Sequence, residues 1–379
     1  MSRRSSLVAG LVGAAATGVL AAGLTAEKMA VGCLRRRPGS EPGVVYGRVQ
    51  GAPRRVLTQD GLSLYAELDD SPGHGSDASG RVEPFPFTTV FVHGYAHDND
   101  SWQLQRTALR LREPVVSYDQ RSHGRSDRAP AAACTIAACG TDLACVIEQL
   151  VPAGKVVLVG HSMGGMIVMS LAELEPELFS ERVAGVVLAG TSAGGLGQFG
   201  FGLHGPAARL VSQLTPSMVA AAMRVPTFIE HSRKADNDLW LLIAERYSFA
   251  SEVPSERVRF VAEMLAHTPI DVVADFYPTF AHHDGFAGLA AMHEIAVQIR
   301  GAVQDRITPI EHSRAIAAAL PAAAYAELDP SGHLLMLEHP RRVTEAVLSS
   351  AERAAARIRA DGPARPGDGT ATADQVGDT

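Results

Sequence analysis

The sequence is poor in cysteine. Four occur in 379 residues, Cys33, Cys134, Cys139 and Cys145, and no two stand in a C-x-x-C arrangement. Their spacing excludes the usual zinc and redox motifs, and the three that crowd a helical stretch read as buried free thiols. A basic excess is absent too. The chain carries 34 Lys and Arg against 41 Asp and Glu, a formal charge of −7, so nothing points to nucleic acid. No H-E-x-x-H or comparable metal spacing occurs, and no internal repeat is visible. Hydrophobic residues make up 46% and charged residues 20%, a balance that provides a sizeable core and argues against wholesale disorder.

Long uncharged runs are confined to one place. Residues 7–26 contain no charge, between Arg3-Arg4 and Glu27-Lys28. Twenty residues match the length of a bilayer-crossing helix, although the run is rich in Ala and Gly. A membrane anchor, and so membrane association through this single segment, is the leading expectation. A cleaved signal peptide of a secreted protein and a soluble leader of a cytoplasmic one are the alternatives. Gly10, Ala14 and Gly18 share one helical face that could pair closely with another helix, and Arg35, Arg36, Arg37 and Arg48 favour a cytoplasmic catalytic domain. At the other end, 360–379 lacks aromatic and nearly all large aliphatic residues, and a disordered tail is expected.

Between these ends strands alternate with helices. Residues 55–68 read as a hairpin turning at Gln59-Asp60-Gly61, followed by a polar loop at 69–84. Short apolar runs predict strands at 87–94, 114–119, 155–160, 183–190, 295–302 and 323–328. Helical periodicity marks 135–150, 166–175 and 310–320. Continuous apolar strands separated by helices predict a parallel sheet covered on both faces, an α/β fold. From 195 to 292 the alternation stops and helical patterns dominate, as expected of an inserted lid. The resulting division is a leader and linker at 1–42, a core at 43–194 and 293–359, a lid at 195–292 and a tail at 360–379.

The chemistry centres on "VVLVGHSMGG". Gly160, Ser162 and Gly164 form G-x-S-x-G between a strand and a helix, with His161 inside the frame. A turn this sharp excludes bulky neighbours and lifts the serine hydroxyl above the sheet, where a helix start brings backbone N–H groups. Such a hydroxyl needs a base, and the base an orienting carboxylate. This architecture predicts the order Ser, acid, His. "VQIRGAVQDRITP" offers Asp305 and "YAELDPSGHLLMLEHP" offers His333, with Asp329 the rival acid. An oxyanion would be met by the amide of Met163 and by that of Tyr95, in the His93-Gly94-Tyr95 loop. The "DQRSHGRS" block at 119–126 reads as structural, its charges stapling a loop.

Taken together these motifs resemble the α/β-hydrolase fold superfamily, and within it the lid-bearing serine hydrolases with a Gly-His-Ser-Met-Gly-Gly elbow. The resemblance covers roughly 44–359. Ser122 and Ala296 depart from it at two scaffold positions, where glycine and proline are frequent. It implies a mostly parallel eight-stranded sheet and carries a triad onto Ser162, Asp305 and His333. The activity expected is hydrolysis of a small-molecule carboxylic ester, lipophilic or acyl esters first, with no metal or organic cofactor required. Epoxide hydrolases and haloalkane dehalogenases share the fold but imply an aspartate at the elbow. Haloperoxidase or perhydrolase-like, lactonase, thioesterase and carbon–carbon hydrolase activities, or a non-catalytic binding protein, are the alternatives. Phe199, Phe201, Leu203, Met218, Met223, Phe228, Trp240, Leu241 and Phe249 are read as lid packing before pocket lining.

Overall fold

The computed structural model describes residues 44–47, 49–69, 87–196 and 238–361, with isolated positions at 32, 36, 37 and 39. The anchor expected at 7–26, the polar loop expected at 69–84 apart from Asp69, residues 197–237 of the expected lid and the tail beyond 361 lie outside the described residues. Among the described residues no helix is long and apolar enough to cross a membrane.

The expected hairpin opens the fold. β1 (Ala52–Leu57) and β2 (Ser63–Asp69) pair antiparallel, with Ala52 opposite Leu68 and Leu57 opposite Ser63. Six more strands follow: β3 (Phe87–Val92), β4 (Val115–Tyr118), β5 (Lys155–His161), β6 (Val183–Ala189), β7 (Ala296–Ala302) and β8 (Ala324–Leu328). One eight-stranded sheet results, in the order β1-β2-β4-β3-β5-β6-β7-β8. β2 meets β4 antiparallel and every later pairing is parallel.

Side chains alternate across this sheet with the period of two that a strand imposes. Val90, Val92, Val156, Leu158, Val186 and Leu188 enter one buried cluster, whereas Phe91, Val157, Val159, Val187 and Ala189 enter another. The first face is covered by α2 (Ile136–Leu150) and α3 (Met163–Leu174), the second by α1 (Gln103–Leu109), α11 (Leu335–Glu338) and α12 (Pro340–Asp361). Thr135 caps α2, its side chain accepting from the Ala138 amide at 3.1 Å. Cys134, Cys139 and Cys145 are all buried free thiols. Several boundaries move: β1 starts at Ala52, three residues early, and β3 ends at Val92, two residues short of expectation. α3 starts at Met163, three residues ahead of expectation, because the chain turns into the helix at Ser162 itself. α12 runs to Asp361, two residues into the expected tail.

The remaining helices fill the gap between β6 and β7. They are α5 (Asp238–Ser248), α6 (Ser255–His267), α7 (Ile270–Phe276), α8 (Thr279–His282) and α9 (Phe286–Ala290); α4 (Pro176–Arg182) precedes β6, and α10 (Ile310–Ala319) joins β7 to β8. Among the described residues this stretch has one isolated bridge, Gly194 to Asp284, and no strand. Leu241, Ala244, Val258 and Val261 of α5 and α6 join the cluster of α1 and α12. Val272, Phe276, Phe280 and Leu289 of α7 to α9 join that of α2 and α3. The helical stretch thus reaches into both faces of the sheet.

Candidate active site

The strand order places the site. β4 lies to one side of β3 and β5 to the other, so the order in which strands are added across the sheet reverses there. In an open α/β sheet the crevice forms at such a switch, beyond the carboxyl ends of the strands. The ends are level there: Val92 pairs with Gly160, His161 with Ala189, and Ala302 with Leu328. The expected residues follow within a few positions of those ends, as His93-Gly94-Tyr95, Ser162, Asp305 and His333.

Ser162 occupies a backbone conformation that non-glycine residues rarely adopt, φ 52° and ψ −121°. Its surroundings hold it there. Its amide donates to Ala189 O at 3.1 Å, and its carbonyl accepts from Gly165 N at 2.9 Å and Thr191 Oγ1 at 2.6 Å. Its side chain does not cap α3, so the hydroxyl is not spent on the helix whose first amide, Met163, adjoins it. The glycine frame is steric. A Cβ on Gly164 would lie 2.1 Å from Val92 O, and Gly160 is itself a sheet position facing Val92 and Leu188.

Asp305 and His333 meet. Asp305 Oδ2 lies 2.8 Å from His333 Nδ1, with both side chains almost fully buried. The other carboxylate oxygen accepts from the amides of Ile307 at 2.8 Å and Thr308 at 2.9 Å. Burial would raise this carboxyl, but the His333 imidazole and the two amides outweigh it and hold the acid below its ordinary value. Because a carboxylate only accepts, the hydrogen of this bond sits on His333 Nδ1, and Nε2 is the ring nitrogen that Asp305 leaves unengaged. Asp329, the rival acid, instead accepts from Gln304 Nε2 at 2.6 Å in an exposed position.

Other imidazoles surround this pair. His161 Nε2 donates to the carbonyl of His333 at 2.9 Å, and the two rings lie 4.7 Å apart. His161 is therefore tied to the backbone of the expected base. Ser162 and His333 are linked through it; no hydrogen bond joins their side chains directly. His93 Nδ1 donates to Gly94 O and Nε2 accepts from the Gln120 amide. Burial pushes His93 down to about 4 and His161 to about 3; in His161 the neighbouring His333 adds to the effect.

The loop after β3 approaches the elbow closely. A Cβ on Gly94 would sit 2.8 Å from His161 Nδ1, 2.9 Å from His97 Nδ1 and 3.3 Å from Ser162 Cβ. Tyr95 and Ala96 turn the chain, with His97 N donating to Gly94 O at 3.3 Å and Ala96 at φ 58°. The Tyr95 hydroxyl donates to Val273 O of α7, and its ring meets Phe280 edge-on at 5.0 Å.

Several contributors lay outside the sequence reading. His123 Nε2 accepts from the Ala96 amide at 3.2 Å and so fixes the Tyr95 turn; it sits in the block read as purely structural. The rest of that block does staple loops: Arg121 pairs with Asp142 at 2.7 Å, and Asp119 accepts from the Asn99 and Arg125 amides. Thr308 Oγ1 lies 2.8 Å from Asp305 Oδ2 and 2.9 Å from Gly190 O. Its place three residues after the acid was the available signal. His97, with a buried Nδ1 lacking a partner, had none. Among the expected lid residues, Leu241 and Phe249 are buried, and Trp240 packs beside them while donating to Ala262 O. These three are packing residues; the other six lie outside the described residues.

Comparison with known proteins agrees with this architecture. A hydrolase of Bacillus subtilis strain 168, YugF, described as uncharacterized, is 24% identical over 295 residues, covering 78% of this chain and 96% of its own. Among solved structures, an esterase from Exiguobacterium antarcticum superposes with a TM-score of 0.61 at 20% identity, covering 80% of this chain and all of that one. A bacterial membrane phospholipase A gives 0.59 at 17% identity and covers 93% of this chain and 99% of its own. The model of the alpha/beta hydrolase family matches residues 89–346, and the chain belongs to that family.

Proposed function

We propose that this protein is a serine hydrolase that cleaves carboxylic esters through an acyl-enzyme intermediate. The buried Asp305–His333 pair, 2.8 Å apart beside the strained elbow serine, is the observation that carries the reading. Ser162 Oγ attacks the ester carbonyl while His333 Nε2 takes its proton and returns it to the departing alcohol. Asp305 orients the imidazole and offsets its charge. The amides of Met163 and Tyr95 receive the developing oxyanion. Water then enters by the same route in reverse and releases the acid.

The neighbouring imidazoles support this division of labour. His93, His97, His123 and His161 are pushed well below the ordinary histidine value by burial. They stay neutral at neutral pH, leaving His333 to carry the transient proton. The helices between β6 and β7 are read as a cap over the strand ends, a role consistent with their packing into both clusters. Lipophilic acyl esters are placed first, because an esterase and a membrane phospholipase share the fold. The segment at 7–26 would bring such an enzyme to a membrane.

The test uses aryl esters of increasing acyl length with the wild type and Ser162→Ala. Turnover by the wild type and a loss of at least ~10³-fold in the variant is the expected result. Equal rates in both proteins would remove Ser162 from the mechanism. No hydrolysis of any ester by the wild type would reject the ester reading.

A further inference from the structure

The loop that carries His333 is held by an unusual carboxylate. Glu338 lies five residues downstream, at the end of α11, and folds back on the chain. Its Oε2 accepts from the amide of Gly332 at 2.6 Å, the residue immediately before His333. Its Oε1 accepts from the amides of Ala250 and Ser251 at 3.0 and 2.5 Å and from Ser251 Oγ at 2.5 Å. Glu338 is 8% exposed and forms no ion pair among the described residues. Its two oxygens are met by three backbone amides and one hydroxyl, each on a segment that must be placed correctly for the bonds to form.

Those two segments are the base loop and the turn after α5. They touch elsewhere as well, since Leu334 N donates to Ser248 O at 2.9 Å. His333 is thereby bracketed. Glu338 holds the residue before it, His161 Nε2 donates to the carbonyl of His333, and the Ser248 carbonyl holds the residue after it. Ser331, one position further back, exchanges bonds with the acid loop through Gln304 at 2.8 and 2.9 Å. Within this set Glu338 is the one side chain that bonds both the base loop and the helical stretch, beside the backbone bond from Leu334 to Ser248.

We propose that Glu338 is a positioning residue that fixes His333 against Asp305 by clamping the base loop to the helical stretch at Ala250–Ser251. The proposal rests on the triad reading, but part of its test is made without substrate. Glu338→Gln keeps the size and one acceptor, while its amide N–H₂ must oppose a backbone N–H on one side of the clamp. The His333 ring then samples more orientations toward Asp305 Oδ2.

The experiment compares the full chain with Glu338→Gln by ester kinetics and by proton NMR of the downfield His333 Nδ1–H resonance. The expected result is a fall in kcat of about tenfold with KM within about twofold, and a broadened or lost resonance. A variant with unchanged kcat and an unchanged resonance, whatever its melting temperature, overturns the proposal and leaves Glu338 a structural brace. Ser251→Ala removes only the hydroxyl donor and serves if Glu338→Gln fails to fold. It should change the resonance and kcat in the same direction by a smaller factor, and no change in either would equally overturn the clamp. Because the resonance is read without substrate, it tests the clamp even if no ester is turned over.

Discussion

Two aspartates beyond the strand ends, Asp305 buried and Asp98 only partly so, behave in opposite ways. Asp305 faces one imidazole, two amides and a threonine hydroxyl, and its carboxyl is held below the ordinary value. Asp98, which caps the short 3₁₀ turn Asn99–Trp102, accepts from the Asp100 amide at 3.0 Å. Burial, reinforced by the charges of Asp119 and Asp100, pushes it up to about 8, against the weaker pull of Arg125. Desolvation acts in the same direction at both sites. What differs is the partner set: dipoles and an imidazole that favour the anion in one place, like charges in the other. The sheet end therefore holds one region prepared for charge and another that avoids it.

Asp305→Asn should produce the largest effect. It preserves the size of the side chain but opposes an amide N–H₂ to His333 Nδ1–H, favouring the wrong tautomer. A loss of about 10⁴-fold in kcat on an aryl ester is expected by analogy with the same exchange in a serine protease. A loss below about tenfold would show that Asp305 does not orient the base.

The two aspartates should also respond to pH with opposite sign. A lowered acid contributes stability that is full above the ordinary carboxylate range and is lost as pH falls through the lowered value. The stability cost of Asp305→Asn should thus be present at pH 7 and shrink in acid. A raised acid does the reverse. Native Asp98 retains a proton that the unfolded chain releases, so wild-type stability declines as pH rises from the ordinary value of 3.8 toward about 8. Asp98→Asn escapes that decline, and its melting temperature relative to wild type should rise between pH 5 and pH 8. Parallel curves for Asp98→Asn and wild type over that range would remove the contrast.

The smallest effect is expected at the surface tie between core and helical stretch. Arg128 Nη2 lies 2.6 Å from Asp271 Oδ2, with both side chains nearly half exposed. Such pairs are worth about 0–1 kcal/mol, so Arg128→Ala should shift urea unfolding by no more than that and leave ester turnover unchanged. A larger shift would mean that the stretch depends on this contact more than on Val272, Phe276 and Leu289, its buried residues.

Local patterns were readable where one physical rule governed them. Apolar runs such as Val183–Ala189, entirely buried, have no strand alternative that leaves them wet. The elbow glycines have a single steric explanation. His333 and Asp305 were legible because each follows a strand in the order the fold demands. Glu338, Thr308 and His123 were harder to identify, since their partners lie 87, 118 and 27 residues away in the chain at Ser251, Gly190 and Ala96. A glutamate before a proline-started helix reads as an ordinary polar residue until the turn after α5 is brought against it. Trp240, Leu241 and Phe249 show the same limit, because apolar periodicity marks a buried face without saying whether core or pocket lies opposite.

The sequence by itself determined the alternation of strand and helix, the glycine frame around Ser162 and the chain order of serine, acid and histidine. Those follow from hydrophobic periodicity and short-range sterics, which act over a few residues. Tertiary structure alone decided that Asp305 and His333 close to 2.8 Å while Asp329 turns to Gln304, that four other histidines are buried around them, and that Glu338 grips two segments at once. Burial and hydrogen-bond partners arise only when distant strands align their ends, and those two quantities set which groups carry charge.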